Sequence, residues 1–166
     1  MAVARTLRLL GICVVFLILG CAAGISQQAR SQVTYNGSFA GLQGATDEHI
    51  GEIVILGGKV IEAKGYPTFS EITVLQLPLG KKDRPQDGDR SDGRYLVRSE
   101  QFLDPAIYRR GGLLTVVGRL SSSEVRSIGE FQYVYPVVEA IEIKQWPQAR
   151  KTFPSVHFGI GVGTWF

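Results

Sequence analysis

A pair of glycines inside a long strand-like run constrains the fold of this chain more than any other feature. Residues 53–64 are rich in aliphatic and β-branched side chains, and Gly57 and Gly58 interrupt them. Glycine inside a strand marks a bulge or a sharp bend. A long first strand that bends in its middle can serve two sheets at once, so this run is the first indication of a small barrel.

Four more strand-like runs follow, at residues 69–77, 95–99, 113–120 and 137–143. Between the third and the fourth, the sequence carries the signals of a short helix. Asp104 is a typical N-cap, Pro105 suits the first helical position, and Gly111 is a typical end. The polar residues 121–130 are predicted to form a loop between the last two strands.

Three strands, a short helix and two strands, with a bent first strand, form the layout of an OB-fold barrel. In that layout the helix between strands three and four plugs one end. We therefore predict an all-β fold, a small five-stranded OB-like barrel with one short helix, over residues 47–146.

The N-terminal stretch has the features of an export signal. Arg5 and Arg8 precede the apolar run Leu9–Gly20, and 12 residues are too few for a helix to cross a bilayer, which needs about 20. The junction with Cys21 resembles the lipobox of bacterial lipoprotein precursors, in which the thiol receives a diacylglycerol, the leader is cut before the cysteine, and the new amine is acylated. We predict a lipoprotein signal peptide over residues 1–20 and lipidation of Cys21. The alternative is an ordinary secretory signal cut at the small residues nearby, which leaves one free cysteine.

The segments on either side of the predicted barrel have less regular patterns. Residues 21–46 begin with the lipidated cysteine and lack helical or alternating periodicity, so we predict a flexible tether with a reach of ~25–30 Å. Residues 147–166 form a tail in which glycines alternate with bulky apolar side chains near the end. An added edge strand, a disordered tail and a membrane or partner contact all remain open for it.

Charge and cysteine content agree with an exported, anchored protein. The chain has a net charge of +3, and the loss of Arg5 and Arg8 with the leader lowers it to about +1. A near-neutral mature chain gives no general electrostatic reason to bind nucleic acid. Cys13 is discarded with the leader, so Cys21 is the one cysteine left and lipidation accounts for it.

Three stretches contain residue types that are found in metal or catalytic sites, but each is better explained without such a site. Residues 47–49 place His49 beside two carboxylates with no second histidine nearby, which does not make a metal site. The aspartates of residues 87–92 do not fit the EF-hand spacing, and basic residues neutralise that loop. The serines of residues 121–123 have no recognisable base. We predict no catalytic residue, no metal and no cofactor.

Several blocks of the sequence resemble one family, the Slp family of bacterial outer-membrane lipoproteins. They are ILGGKVIEAK (55–64), VLQLPL (74–79), FLDPAIYRRGGLLTVVGRL (102–120) and IGEFQYVYPVV (128–138). The resemblance spans about residues 47–146 and the lipobox. It implies a lipid-anchored protein of the outer membrane, induced under stress and without established enzymatic activity, and Ala22 after the cysteine agrees with that membrane.

The sequence leaves three function classes open. The expected one is a non-enzymatic envelope lipoprotein with a structural or binding role, and an envelope glycan or protein is the candidate partner. A nucleic-acid binder would rest on the OB layout alone, and a hydrolase has no motif. OB barrels bind through strands two and three and the adjacent loops. On that basis we predict partner-binding residues at Tyr66, Arg126 and Glu130.

Overall fold

The computed structural model describes residues 24–147, which form a closed five-stranded barrel with strand order β1-β2-β3-β5-β4. The strands are β1 (Ile53–Gly65), β2 (Ser70–Leu77), β3 (Arg94–Ser99), β4 (Leu113–Ile128) and β5 (Phe131–Trp146). The β3–β5 pair is parallel, and the other neighbouring strands are antiparallel. The prediction of a small all-β, OB-like barrel is confirmed.

The glycine pair of β1 lies where that strand serves two neighbours. Its first half, from Ile53 to Lys59, pairs with β4, and the part from Gly57 onward pairs with β2. A Cβ atom at Gly58 would collide with Val74 and with the backbone of Leu75, and one at Gly57 would collide with Leu79. Glycine is therefore required at Gly58, because the backbone of β2 approaches closely there, whereas at Gly57 the obstacle is the end of the Leu79 side chain.

One apolar core fills the barrel. Alternate residues of the strands point inward, as a period of two requires. The fully or almost fully buried strand residues of this core are Val54, Leu56, Val60, Ile72, Val74, Tyr95, Val97, Leu114, Val116, Leu120 and Val138. At ~25 cal/mol per Å² of apolar surface removed from water, burial of these side chains is the main stabilising contribution to the fold.

The expectation of a flexible tether through residue 46 is wrong for the described part of that segment. Residues 24–52 hold two short helices, α1 (Gln27–Arg30) and α2 (Phe39–Gly44), and a 3₁₀ turn at Thr46–His49. Phe39 and Leu42 of α2 are 5% and 0% exposed and belong to the barrel core. A segment that buries two large side chains in the core is part of the domain, because exposing them would cost roughly 1.5–3 kcal/mol each.

The two ends of the barrel are closed by different segments. At the end where β3 begins, the Phe39 ring lies 5.8 Å from that of Tyr95. At the end where β3 finishes, Leu103 is buried, and its N–H donates to Ser70 Oγ at 2.9 Å. The short helix expected after Asp104 is a single hydrogen-bonded turn, in which Tyr108 N–H donates to the Asp104 carbonyl. Asp104 still acts as a cap, since Oδ1 accepts from Ala106 N–H at 2.8 Å.

Strands β4 and β5 are longer than their patterns indicated. The sequence predicts a loop over residues 121–130 and a fifth strand that starts at residue 137. In the structure, residues 121–128 and 131–136 continue the antiparallel ladder as far as the pair Ile128–Phe131. We call residues 121–136 the arm. The serines at positions 121–123 show no apolar alternation. The arm is nevertheless a β-hairpin, because one of its faces packs on β3 and on Glu71 of β2.

Candidate functional site

The arm packs on the outer face of β3 and on Glu71 at one end of β2, and so covers part of the usual ligand face of an OB barrel. Leu96 of β3 points away from the core and is fully buried in a second apolar cluster with Tyr135 and Val137. The Tyr133 hydroxyl accepts the Arg94 N–H at 2.7 Å. The face that most OB barrels present to ligands is therefore partly occupied by the chain itself.

Four charged side chains form a closed network beneath the arm. Arg126 of β4 makes a forked pair with Glu71 of β2, at 2.6 and 2.8 Å. Arg98 of β3 donates to the same carboxylate at 2.9 Å, and both arginines also donate to Glu124. Glu71 is only 3% exposed, and the formal charges of the network sum to zero.

The network sets the protonation of its carboxylates. Burial alone would raise the pKa of Glu71, but the hydrogen bonds from Arg126 and Arg98 outweigh it and hold that pKa below its usual value. Glu124 has a lowered pKa for the same combination of reasons. The hydrogen bonds to Glu71 raise the pKa of Arg126, although its partial burial acts in the opposite direction. All four groups are therefore charged at neutral pH.

An aromatic pair extends from this network towards the turn between β1 and β2. The Arg98 guanidinium carbon lies 5.2 Å from the centre of the Phe69 ring, within the range of a cation–π contact. Phe69 stacks on Tyr66, with ring centres 4.6 Å apart and an angle of 19° between the planes. Tyr66 keeps 43% of its surface exposed. The result is a partly exposed aromatic platform backed by the Arg98 guanidinium, which Glu71 and Glu124 hold in place and neutralise.

A groove of about 700 Å³ opens beside Phe69 and Arg98. It lies where the β3–β5 ladder ends, because β3 stops pairing at Arg98 while β5 continues beyond Glu139. Its remaining lining comes from Thr68, Ser99, Glu100, Gln101, Leu103, Tyr108, Ala140, Ile141 and Ile143. Ile141 is 44% exposed, so apolar and polar groups both face the opening. Partial burial raises the pKa of the Tyr108 hydroxyl, which stays a hydrogen-bond donor.

The structure brings together some of the residues expected to bind a partner and separates others. Tyr66 stands at the rim of this region, as the turn position suggested. Arg126 uses Nε, Nη1 and Nη2 on Glu71 and Glu124, so its guanidinium is already committed. Glu130 lies at the exposed tip of the arm, beyond the last ladder pair. Cys21 lies outside the described residues.

Sequence reasoning missed Phe69, Arg98 and Glu71. A carboxylate near the start of an apolar strand was the available signal, because Glu71 interrupts the run Ser70–Leu77. Its meaning depends on register, since Glu71 lies directly opposite Arg98 in the β2–β3 ladder. Register cannot be read from one strand alone.

The stretches considered for metal binding contain ordinary pairs. His49 Nδ1 lies 2.9 Å from Glu52 Oε1, and its ring contacts Tyr35 edge to face. In residues 24–147 no three histidine, cysteine or acidic side chains stand close enough to hold a metal ion together. Within the same range, no helix has the length and apolar character needed to cross a membrane.

Comparison with known proteins decides the family. The model of the outer membrane lipoprotein Slp family matches residues 18–162. The chain belongs to this family. It is 27% identical over 130 residues to the lipoprotein YeaY of Escherichia coli K12, a match that covers 78% of this chain and 67% of YeaY. It is 27% identical over 133 residues to the outer membrane protein Slp of the same organism, covering 79% of this chain and 70% of that protein.

Family membership places this Slp-family chain in the outer membrane, held by a lipid anchor. The similar solved structures say less about this chain. The mitochondrial single-stranded DNA-binding protein Rim1 of S. cerevisiae matches with a TM-score of 0.38 and 13% identity, over 60% of this chain and 99% of that one. A small single-stranded DNA-binding protein from Streptomyces coelicolor matches equally weakly, with a TM-score of 0.38. Likeness at this level carries no argument about nucleic-acid binding.

Proposed function

We propose that this outer-membrane lipoprotein is a non-enzymatic binding protein whose groove takes an envelope glycan. The observation that carries the proposal is the groove itself, with Phe69 and the Arg98 guanidinium on its wall and Tyr66 stacked on Phe69 at its rim. Its volume of about 700 Å³ lies within the usual range of small-ligand sites.

The chemistry of the wall suits a sugar ring. A pyranose has an apolar face, which packs on aromatic rings such as Tyr66 and Phe69, and hydroxyl edges, which need donors and acceptors. Glu100, Gln101 and Glu139 supply such groups along the groove. Oligosaccharides are among the established ligand classes of OB folds, although they usually bind on the face that the arm partly covers here. The site is therefore displaced from that face to the gap between β3 and β5.

Binding to a purified glycan tests the groove. The lipidated chain in detergent micelles would be titrated with soluble peptidoglycan fragments, and the affinity compared for the parent, Tyr66→Ala and Phe131→Ala. Phe131 is a matched control because it is an aromatic residue, 80% exposed, at the tip of the arm. We expect Tyr66→Ala to weaken binding about tenfold, which corresponds to ~1.4 kcal/mol, and Phe131→Ala to have no effect.

Equal losses in the two variants would contradict the groove as the binding site. No binding of glycan, together with capture of one envelope protein by in-cell crosslinking at Tyr66, would replace the glycan with a protein partner. The absence of both would leave a purely structural role in the envelope.

We also propose that Cys21 carries the lipid. The support is the leader, the Gly20–Cys21 junction and the family to which the chain belongs. Cys21→Ser should abolish incorporation of radiolabelled palmitate and leave the leader uncut, while Cys13→Ser should incorporate as the parent does. Equal labelling of Cys21→Ser and the parent would refute this assignment.

The same resemblance supports a role under stress. We expect the amount of the protein to rise in at least one of a set of envelope and growth stresses, as measured by quantitative immunoblotting against a constitutive outer-membrane lipoprotein. A constant amount across these conditions would remove the stress-related part of the proposal.

A further inference from the structure

The folded domain begins almost at the lipid. Gly24 is the first described residue, and it follows the proposed lipidated cysteine by three positions. Three residues span at most ~11 Å, because an extended chain advances at most 3.3–3.6 Å per residue. The part of the domain that touches Gly24 is therefore held within about that distance of the lipid headgroups, whereas a 25-residue tether would have left it free.

Contacts fix the segment after Gly24 to the barrel. Ser26 N–H donates to Glu142 Oε1 of β5 at 2.9 Å, and Ala29 is 3% exposed. Arg30 forms an ion pair with Asp83 of the connection between β2 and β3. Because these contacts hold the segment against the barrel, the anchor determines which face of the domain meets the membrane.

The neighbour of Gly24 is a basic turn. A Cβ at Gly24 would lie 2.8 Å from the Lys82 carbonyl oxygen, so the two backbones are in close contact. Lys81 and Lys82 are both exposed, and in the described part of the chain neither forms an ion pair. Arg30 and Arg84 stand beside them, and Asp83 is the only acidic residue among these five. The formal charge of these five residues is therefore +3, and Glu142 beside Ser26 lowers that of the face to +2, against about +1 for the mature chain.

The turn is also held in a strained form. Lys82 and Asp83 have φ angles of 57° and 62°, in the left-handed region that residues other than glycine seldom adopt. Such strain persists only where the surroundings over-determine the backbone. Thr115 Oγ1 of β4 donates to the Asp83 carbonyl at 2.6 Å, and Arg84 Nη2 donates to the Pro147 carbonyl at 3.0 Å. The two lysines are thus presented on a rigid turn.

We propose that the domain rests on the membrane with this face, and that Lys81 and Lys82 bind the phosphates of anionic phospholipid headgroups. The proposal relies on lipidation at Cys21. Each basic residue close to an anionic surface contributes ~1 kcal/mol, and the field extends about one Debye length, ~8 Å at physiological salt. The short link from the lipid keeps both lysines near that range. Ser127 of the arm lies 12 positions further along β4 than Thr115, a path of about 40 Å along a strand that bulges between Val117 and Ser122, so we place the arm away from the membrane.

Fluorescence quenching on lipid vesicles tests this orientation. The mature chain has no thiol besides Cys21, so a single introduced cysteine can carry a fluorophore. Gln27→Cys lies beside Gly24, and Ser127→Cys lies near the tip of the arm; both positions are exposed. The lipidated proteins would be reconstituted into phosphatidylethanolamine–phosphatidylglycerol vesicles containing a headgroup spin label. We expect severalfold stronger quenching at residue 27 than at residue 127, and equal quenching would overturn the orientation.

A charge reversal tests the phosphate contact separately. In the Gln27→Cys background, Lys81→Glu/Lys82→Glu should lower the quenching on anionic vesicles to the level seen on phosphatidylcholine vesicles. Lys81→Arg/Lys82→Arg, the matched control, should behave as the parent. Unchanged quenching in the charge-reversed protein, with an unchanged circular dichroism spectrum, would overturn the contact. Failure of lipidation at Cys21 would appear differently, because the protein would not float with the vesicles at all.

Discussion

The barrel interior and the outer face beneath the arm are stabilised by different kinds of contact. The interior is apolar, and its strand residues alternate along each strand. The outer face combines a small apolar cluster around Leu96 with four charges that neutralise one another. The interior gains stability from each side chain separately, whereas Glu71 depends on its arginine partners, because it is 3% exposed and a buried charge left alone is costly.

The interior extends into the N-terminal segment, and the largest effect is expected there. Leu42→Ala should lower the free energy of unfolding by ~2–5 kcal/mol, because a fully buried leucine leaves a cavity. Ile50→Ala is the matched control, since Ile50 is 50% exposed and should cost less than ~1 kcal/mol. Chemical denaturation of the lipidated protein in micelles measures both. If Leu42→Ala unfolds like the parent, residues 24–46 are a tether and the interior ends at β1.

Breaking the charge network should have the next largest effect. Arg126→Leu removes the forked partner of Glu71, which is 3% exposed, and leaves Arg98 as its main counter-charge. Because Arg126 is itself 35% exposed, we expect a loss between the ~1 kcal/mol of exposed pairs and the ~3 kcal/mol of buried ones. Arg90→Leu, on an exposed loop position, should change stability by less than ~0.5 kcal/mol. Equal small effects would mean that the arm lies on β2 without help from its charges.

The same network should make stability depend on pH in acid. Burial would raise the pKa of Glu71, but the two arginines lower it below the ordinary value of 4.5 in the folded state. A carboxylate with a lowered folded pKa stabilises the protein fully above about pH 4.5 and loses that contribution as the pH falls through the folded value. The melting temperature of the parent should therefore approach that of Glu71→Gln below about pH 4.5. A constant difference between the two at every pH would contradict this assignment.

The same contrast explains which parts of the fold the sequence could predict. Alternation predicted β1, β2 and β3 to within one residue at each end, because it is a local pattern. The Gly57–Gly58 pair marks where β1 passes from β4 to β2, whereas the irregular register of β1 lies between Val60 and Glu62. The arm was missed because its polar strands are stabilised by residues far away in sequence. The burial of Leu42 was missed because a single leucine in a six-residue helix has no periodicity to detect.

The candidate site shows the same limit. Tyr66 was found because it lies in a turn with a recognisable pattern. Its partner Phe69 and the guanidinium of Arg98 were not, since they converge only through the pairing of β2 with β3. Arg126 was predicted to bind a partner from a loop between the last two strands, but it lies in β4, and the carboxylates that it pairs with lie on β2 and on its own strand. Which charges are available to a ligand is decided by register, and a lone strand does not specify register.

The smallest expected effect is a change in the free energy of unfolding that has opposite signs in the two regions. The Tyr95 hydroxyl is buried in the interior and has no hydrogen-bond partner among residues 24–147. Burial raises its pKa, so it remains protonated. Tyr95→Phe removes that group and should raise the free energy of unfolding by about 1 kcal/mol. Tyr133→Phe makes the same chemical change beneath the arm, where the hydroxyl accepts the Arg94 N–H, and should lower it by about 1 kcal/mol. Denaturation midpoints of the two variants measure the pair directly. If both shift in the same direction, the polar groups of the two regions do not differ in the way their hydrogen bonds indicate.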